Sequence, residues 1–219
     1  EMVLVLDESG SMSDLTRDTI GGFNSMIEKE KKLDVDAHVT TVLFNDQYKM
    51  LYNRRELKDV SKMTDKDYTP GGMTALLDAV GRTIHKMDMV AGIHRKDKGN
   101  KVLFVIITDG EENDSKEYTY ADVKKLIKDR QENAGWEFIF LGANIDAAAA
   151  AENLGIDRDR AVKYKNTGSG VRANFKAVAE LSDSLAKSGR VSDRWKETVE
   201  KDEDDAADKQ SAAVTSHRR

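Results

Sequence analysis

Two stretches of the chain are apolar at every position: Val3–Leu6 and Val102–Ile107. Uninterrupted short runs of this kind suit strands buried on both faces of a parallel sheet. The first is followed directly by Asp7, the second by Thr108-Asp109. Trp136–Leu141, closed by Gly142, and Val39–Phe44 read the same way. Asn45-Asp46 then predicts a tight turn, and Tyr48, Met50 and Tyr52 alternate with polar residues as an antiparallel edge strand does. Ala161–Tyr164 is a short sixth strand. Between these lie spacings of three and four: Ile20, Phe23 and Ile27; then Leu76, Val80, Ile84 and Met87; then Val123 and Ile127. Ala147–Ala151 has high intrinsic helix propensity. Val171, Phe175, Val178, Leu181 and Leu185 form a clean amphipathic stripe for a last helix of about five turns.

Strands alternating with helices predict an α/β fold: a three-layer sandwich around a doubly wound, mostly parallel six-stranded sheet with one antiparallel edge strand. Such sheets bind ligands beyond the carboxyl ends of their strands, where Asp7 and Asp109 fall. The pattern ends near Gly189, so the domain is expected over 1–189. From Arg190 to Arg219 only Val191, Trp195, Val199 and Val214 are large and apolar, among alternating charges. Such a segment does not offset its own ordering entropy, and 190–219 is expected to be a mobile charged tail. The alternative for it is a partner-binding arm anchored by Trp195.

Composition narrows the chemistry. With 219 residues and no cysteine, the chain can bury a full core without staples, and disulfides, cysteine zinc sites and thiol nucleophiles are excluded. Thirty-five basic against 40 acidic residues give a net charge of −5, which speaks against nucleic-acid binding. No apolar run is long enough to span a bilayer. A cytoplasmic location is expected; export stays open, because Glu1 stands one residue ahead of an apolar strand.

Asp7-Glu8-Ser9-Gly10-Ser11 places one carboxylate and two hydroxyls at alternate positions in a short turn. All are hard oxygen donors, suited to Mg²⁺, Mn²⁺ or Ca²⁺. Gly71-Gly72-Met73-Thr74 adds a hydroxyl just ahead of the Leu76–Met87 helix, and Thr108-Asp109-Gly110 adds a second carboxylate at the sheet's edge.

With these residues, in this order and at these places, the sequence resembles the von Willebrand factor type A (VWA) domain with a metal-ion-dependent adhesion site (MIDAS), a Rossmann-like fold. The resemblance covers roughly Met2 to Lys187. Gly21-Gly22-Phe23-Asn24 and Phe138–Ala143 followed by Asn144-Ile145-Asp146 are similar to the short intracellular bacterial and phage members. The resemblance implies that Ser9 and Ser11 ligate a Mg²⁺ (alternatively Mn²⁺ or Ca²⁺) directly, that Thr74 joins in the engaged state, and that Asp7 and Asp109 act directly or through water. Two carboxylates and three neutral hydroxyls neutralise a divalent cation and leave a position that a partner protein's Asp or Glu completes. The implied function is that of an adaptor or regulatory protein-binding module with no catalysis of its own.

Around the site, Met12 and Met73 are candidates for an apolar collar, the alternative being that they tuck into loop packing. Glu8, Glu111, Glu112 and Asp114 add acidity, which favours a partner with basic residues beside its coordinating acid. The histidines, His38, His85, His94 and His217, have no metal or triad spacing, and neither serine stands in a nucleophile elbow. Asp146, with Asn144, reads as a helix cap, and Gly168-Ser169-Gly170 as a helix entry. Two other functions stay open: a structural part of a larger assembly, such as a phage particle, and Mg²⁺-dependent phosphoryl or hydrolytic chemistry, for which Lys49, Arg54 and Arg82 are the first basic residues to place.

Overall fold

A computed structural model describes residues 1–33, 35–90, 100–192 and 194–201. Six strands form one mixed sheet: β1 (Met2–Asp7), β2 (His38–Phe44), β3 (Tyr48–Glu56), β4 (Leu103–Thr108), β5 (Glu137–Gly142) and β6 (Ala161–Lys163). Their spatial order is β3-β2-β1-β4-β5-β6, with only the β2–β3 pair antiparallel. Among the described residues five α-helices connect or follow them: α1 (Thr16–Glu30), α2 (Leu76–Asp88), α3 (Tyr120–Asp129), α4 (Ala147–Leu154) and α5 (Gly168–Ser188). The expected three-layer sandwich is therefore what the chain adopts.

The period of two along each strand divides the core. Met2, Leu4 and Leu6 face one side with α1 and α5, while Val3 and Val5 face the other with α2, α3 and α4. Leu103, Val105 and Ile107 against Phe104 and Ile106 repeat the division in β4, which is why neither strand has a polar position to spare. On the α1–α5 side the helices come close because Gly22 has no side chain. A Cβ there would stand 2.5 Å from Cδ2 of Phe175. Asn24, in the same Gly-Gly-Phe-Asn stretch, ties down the long loop before α2. Its amide donates to Met63 O at 2.9 Å, and its Oδ1 accepts from Met63 N at 2.8 Å.

The chain leaves β1 through α1 towards β2 on one side, and enters β4 from α2 on the other. The carboxyl ends of the adjacent strands β1 and β4 thus form a topological switch point, where the loops part and a cleft opens.

The residues after α5 depart from expectation. Val191, Trp195 and Val199 are 7%, 2% and 1% exposed and belong to the same core cluster as α1 and α5. Thr198 donates to Glu180 at 2.8 Å, and the Lys196 ammonium donates to Arg158 O at 3.0 Å. Burying such side chains contributes about 1.5–3 kcal/mol each, which offsets part of the ordering entropy of this short segment. Apolar residues four apart among charges, at 191, 195 and 199, were the signal of an amphipathic strap over this stretch. We propose that the domain extends to about Lys201. Val214, His217 and most of the acidic run lie outside the described residues, as does His94. No described helix is long and apolar enough to cross a membrane.

Candidate functional site

At the switch point Asp7 ends β1 and Asp109 follows β4; both are buried, at 1% and 2% exposure. Each carboxylate is held by neutral donors. Asp7 Oδ1 accepts Ser9 N at 2.7 Å, and its Oδ2 accepts the Thr108 hydroxyl at 2.6 Å. Ser11 Oγ donates to Asp109 Oδ1 at 2.5 Å, and Ser9 and Ser11 share a hydrogen bond at 3.1 Å. A continuous line of oxygens thus runs from the β1 turn to the β4 turn.

The third loop is drawn in by its backbone. Gly71 N donates to Glu8 O at 2.9 Å, and Gly10 N donates to Gly72 O at 3.2 Å. Gly72 stands at φ +74, the left-handed region that a side chain rarely adopts, and its absent Cβ leaves room for Asp46. Thr74 is pinned from both sides of its peptide, its N–H donating to Asn113 Oδ1 at 2.8 Å and its carbonyl accepting from Asn113 N at 3.0 Å. The Thr74 hydroxyl has no hydrogen bond among the described residues, and a Cβ on Gly110 would stand 3.7 Å from it. All five sequence candidates, Asp7, Ser9, Ser11, Thr74 and Asp109, therefore gather at one edge of the sheet.

Electrostatics at this edge are unbalanced. Burial pushes the Asp7 carboxyl above the ordinary carboxylate range, against the hydrogen bonds from Ser9 and Thr108; Asp109 pushes it the same way. Among the described residues no lysine or arginine pairs with Asp7 or Asp109. Beneath them the phenol of Tyr164, 1% exposed, has no hydrogen-bond partner among the described residues, and burial followed by Asp109 and Asp7 holds it well above its usual range. Two buried carboxylates, three hydroxyls and no internal cation fit a hard divalent ion. No three described His, Asp or Glu side chains gather as a metal cage, so an ion here would rely on hydroxyl oxygens.

Sequence reasoning missed several supporting side chains. Tyr68 donates its hydroxyl to Asp7 O at 2.6 Å from within the loop before α2. Asn45 donates to Gly71 O at 2.8 Å. Asn166, just ahead of α5, donates to Asp109 Oδ2 at 3.4 Å. Only Thr108 carried a local signal, standing in the T-D-G turn. The other three act across 61, 26 and 57 residues of chain.

The candidate rim separates clearly. Met12 is 2% exposed and packs in the core, so it offers no collar, whereas Met73 is 50% exposed. Glu8 is buried, its carboxylate accepting from the N–H and hydroxyl of Thr69, with the Lys49 ammonium at 3.9 Å. Glu112 is occupied within its loop, accepting from Leu77 N at 2.9 Å and Ser115 N at 2.7 Å. Asp114 faces Lys116 at 3.4 Å. Glu111 is exposed and makes no hydrogen bond among the described residues.

Asp146 caps α4, accepting from Ala149 N at 3.0 Å, and Thr167 caps α5, accepting from Gly170 N at 3.2 Å. Asn144 instead bends the loop at φ +55 and donates to Asp109 O at 3.4 Å. Arg54 pairs with Glu1 and Arg82 with Glu117, so neither is directed at the site. His85 contacts Tyr118 at 2.9 Å and His38 lies 3.5 Å from Glu1.

A sheet of this order, with hydroxyls and acids at its switch point, is that of a von Willebrand factor type A domain. Residues 1–162 match the vWA-TerF-like family, the vWA found in the TerF C terminus, and the chain belongs to that family. No curated protein matches the sequence.

Among solved structures, a von Willebrand factor type A protein from Catenulispora acidiphila is similar, with TM-score 0.56 and 15% identity over 82% of this chain and 42% of that one. Proximal thread matrix protein 1 from the mussel byssus, with a zinc-occupied MIDAS motif, gives 0.56 and 14% over 83% and 45%. The vWF domain of the type V pili tip protein Mfa5 from Porphyromonas gingivalis gives 0.54 and 13% over 88% and 97%. The chain thus spans less than half of the first two. At these identities the likeness is one of fold.

Proposed function

We propose that this VWA domain is a divalent-metal-dependent protein-binding module, an adaptor or regulatory part with no catalysis of its own. Ser9, Ser11 and Thr74 would hold Mg²⁺ or Mn²⁺ by their hydroxyls. Asp109 would hold it directly or through water. Asp7, whose two oxygens are both engaged by Ser9 N and Thr108, would orient coordinated water. A carboxylate from a partner protein would complete the ion. The observation that carries this reading is the unbroken line of Ser9, Ser11 and Asp109 oxygens over a buried Asp7, with no basic side chain among the described residues to neutralise it. The zinc-occupied MIDAS motif named for the mussel protein supports it by analogy.

The ion supplies positive charge and a vacant coordination position. This chain's residues supply the rest. Thr108 and Tyr68 fix Asp7, Ser11 and Asn166 fix Asp109, and Asn113 holds Thr74 at the mouth. Thr74 and the exposed Met73 beside it put one ligand and one apolar contact on the same lip.

Calorimetric titration with Mn²⁺ tests the assignment. Wild type should bind one equivalent, and Asp7→Ala none, with unchanged circular dichroism. Equal affinity in the two proteins overturns it.

A further inference from the structure

We infer that the cavity between the β4–α3 loop and α4 receives a basic side chain, arginine or lysine, of the partner whose acid meets the metal; this rests on the function proposed above and names the partner's chemistry. The cavity measures about 270 Å³. Its apolar side is built from Leu76, Phe140, Ile145, Ala149, Ala150 and Leu154. The rest of the lining is Gly110, Glu111, Glu112, Tyr120, Asp146 and Asn153, of which Glu112 is occupied within its own loop. Tyr120 is 44% exposed, one of four large apolar side chains that the described surface leaves open; Met73, on the lip of the metal site, is another.

Charge decides the occupant. None of the lining residues is basic. Glu111 has no partner among the described residues, and Asp146 spends one oxygen on the α4 cap. The start of α4 contributes about half a positive charge, which the Asp146 carboxylate alone outweighs, so an anion is repelled. A purely aliphatic side chain would cover the apolar side and leave Glu111 desolvated without compensation. A long alkyl stem with a cationic head satisfies both, the stem lying on the apolar side and the head reaching the acids. Lys163 lines a neighbouring cleft that shares Glu111 and Asp146 with this one, but it does not line this one and among the described residues forms an ion pair with neither acid.

Position decides the register. Gly110 belongs to the cavity and directly follows Asp109 of the candidate metal site. A partner segment with its carboxylate on the ion therefore passes the cavity mouth. An extended chain advances about 3.3 Å per residue, which places the basic residue within a few positions of the acid.

The test uses short capped peptides that contain one aspartate, with an arginine stepped through the other positions, each paired with a norleucine counterpart. Binding is read by fluorescence anisotropy in Mg²⁺ and in EDTA. At one or two offsets the arginine peptide should bind about tenfold tighter than its counterpart, and only in Mg²⁺. Glu111→Gln should remove that preference, while amide shifts of Ala149 and Ala150 report occupancy in the wild type. Metal-dependent binding without an arginine preference at any offset overturns the cavity assignment and leaves the metal reading standing. An arginine preference that survives Glu111→Gln overturns it as well. Binding that ignores EDTA for every peptide overturns the metal reading and the cavity together.

Discussion

The two ends of the sheet treat their acids differently. At the amino end, Glu1 is gripped by Arg54, with Nη2–Oε1 at 2.5 Å and Nε 3.1 Å from both oxygens. Nearby, Asp88 at the end of α2 takes a two-pronged pair from Arg130 at 2.6 and 2.7 Å. Each carboxylate there has its counter-charge within the chain. At the carboxyl end, Asp7 and Asp109 are more deeply buried and meet only hydroxyls and amides. A folded protein that pairs Glu1 and Asp88 with arginine and leaves Asp7 and Asp109 without a cation among the described residues has an electrostatic reason to take one from solution. Glu1 and Asp88 recruit arginine; among the described residues Asp7 and Asp109 do not.

Breaking the carboxyl end should have the largest effect. Asp109→Ala should lower Mn²⁺ affinity more than about 100-fold, beyond the ~10–100-fold typical of outer-shell partners. Arg54→Ala, at the amino end, should leave the titration unchanged and cost at most about 1 kcal/mol of stability, because the pair is partly exposed. An equal loss of metal affinity in both would erase the contrast.

Trp195→Ala ranks next, in stability rather than affinity. Large-to-small changes of a buried aromatic cost about 3–5 kcal/mol, and at roughly 2–4 °C per kcal/mol for a chain this long the Tm should fall by about 6–20 °C. Truncation after Gly189 should do at least as much. A Tm within a degree or two of wild type would show that the strap is dispensable and that the domain ends near Gly189.

Thr108→Val is smaller and more telling. It removes the hydroxyl that aims Asp7 but no ligand and no charge. Mn²⁺ affinity should fall about tenfold, with Mg²⁺ and Mn²⁺ affected alike. No change would mean that Asp7 does not need Thr108 to serve the ion.

Glu30 gives the least effect and tests a third arrangement. It is buried between α1 and α5, one oxygen accepting Ser182 Oγ at 2.7 Å and the other unpartnered among the described residues. Burial raises its pKa above the ordinary 4.5, with Asp183 pushing the same way and Lys29 opposing. A carboxyl whose folded pKa is raised contributes stability that is full below the unfolded pKa and is lost as pH rises through the folded one. Glu30→Gln should therefore raise the thermal midpoint modestly at neutral pH, and the gain should disappear below about pH 4. A gain that persists in acid would place the effect in packing instead.

Much of this was legible in the sequence because the signals were local. Val3–Leu6 and Val102–Ile107 announced central strands, and their trailing aspartates marked the switch point. That Ser9 and Ser11 fall side by side was legible because a turn fixes the spacing of its own side chains; Thr74 comes from a separate glycine-led loop ahead of α2. Whatever depended on packing between distant segments was not legible. Met12 and Met73 flank the same site in sequence, yet one is buried and the other open, because the turn after Ser9 folds Met12 onto the core while the Gly71–Gly72 turn lifts Met73 outward. Glu8 looked like a rim acid until Thr69, 61 residues on, closed over it. Tyr68, Asn113 and Asn166 had no recognisable spacing at all. Trp195 was misjudged because charges around an apolar position say which face is wet and not whether the other face finds a core.

The most direct measurement is water-proton relaxation with Mn²⁺. The account predicts one tightly bound ion that enhances the relaxation rate through an exchangeable water, and a fall in that enhancement when an aspartate-bearing peptide is added and its carboxylate displaces the water. Asp7→Ala should show neither effect. A bound Mn²⁺ whose enhancement is untouched by the peptide, or an unaltered signal in Asp7→Ala, would contradict the claim that these five side chains hold an ion open for a partner.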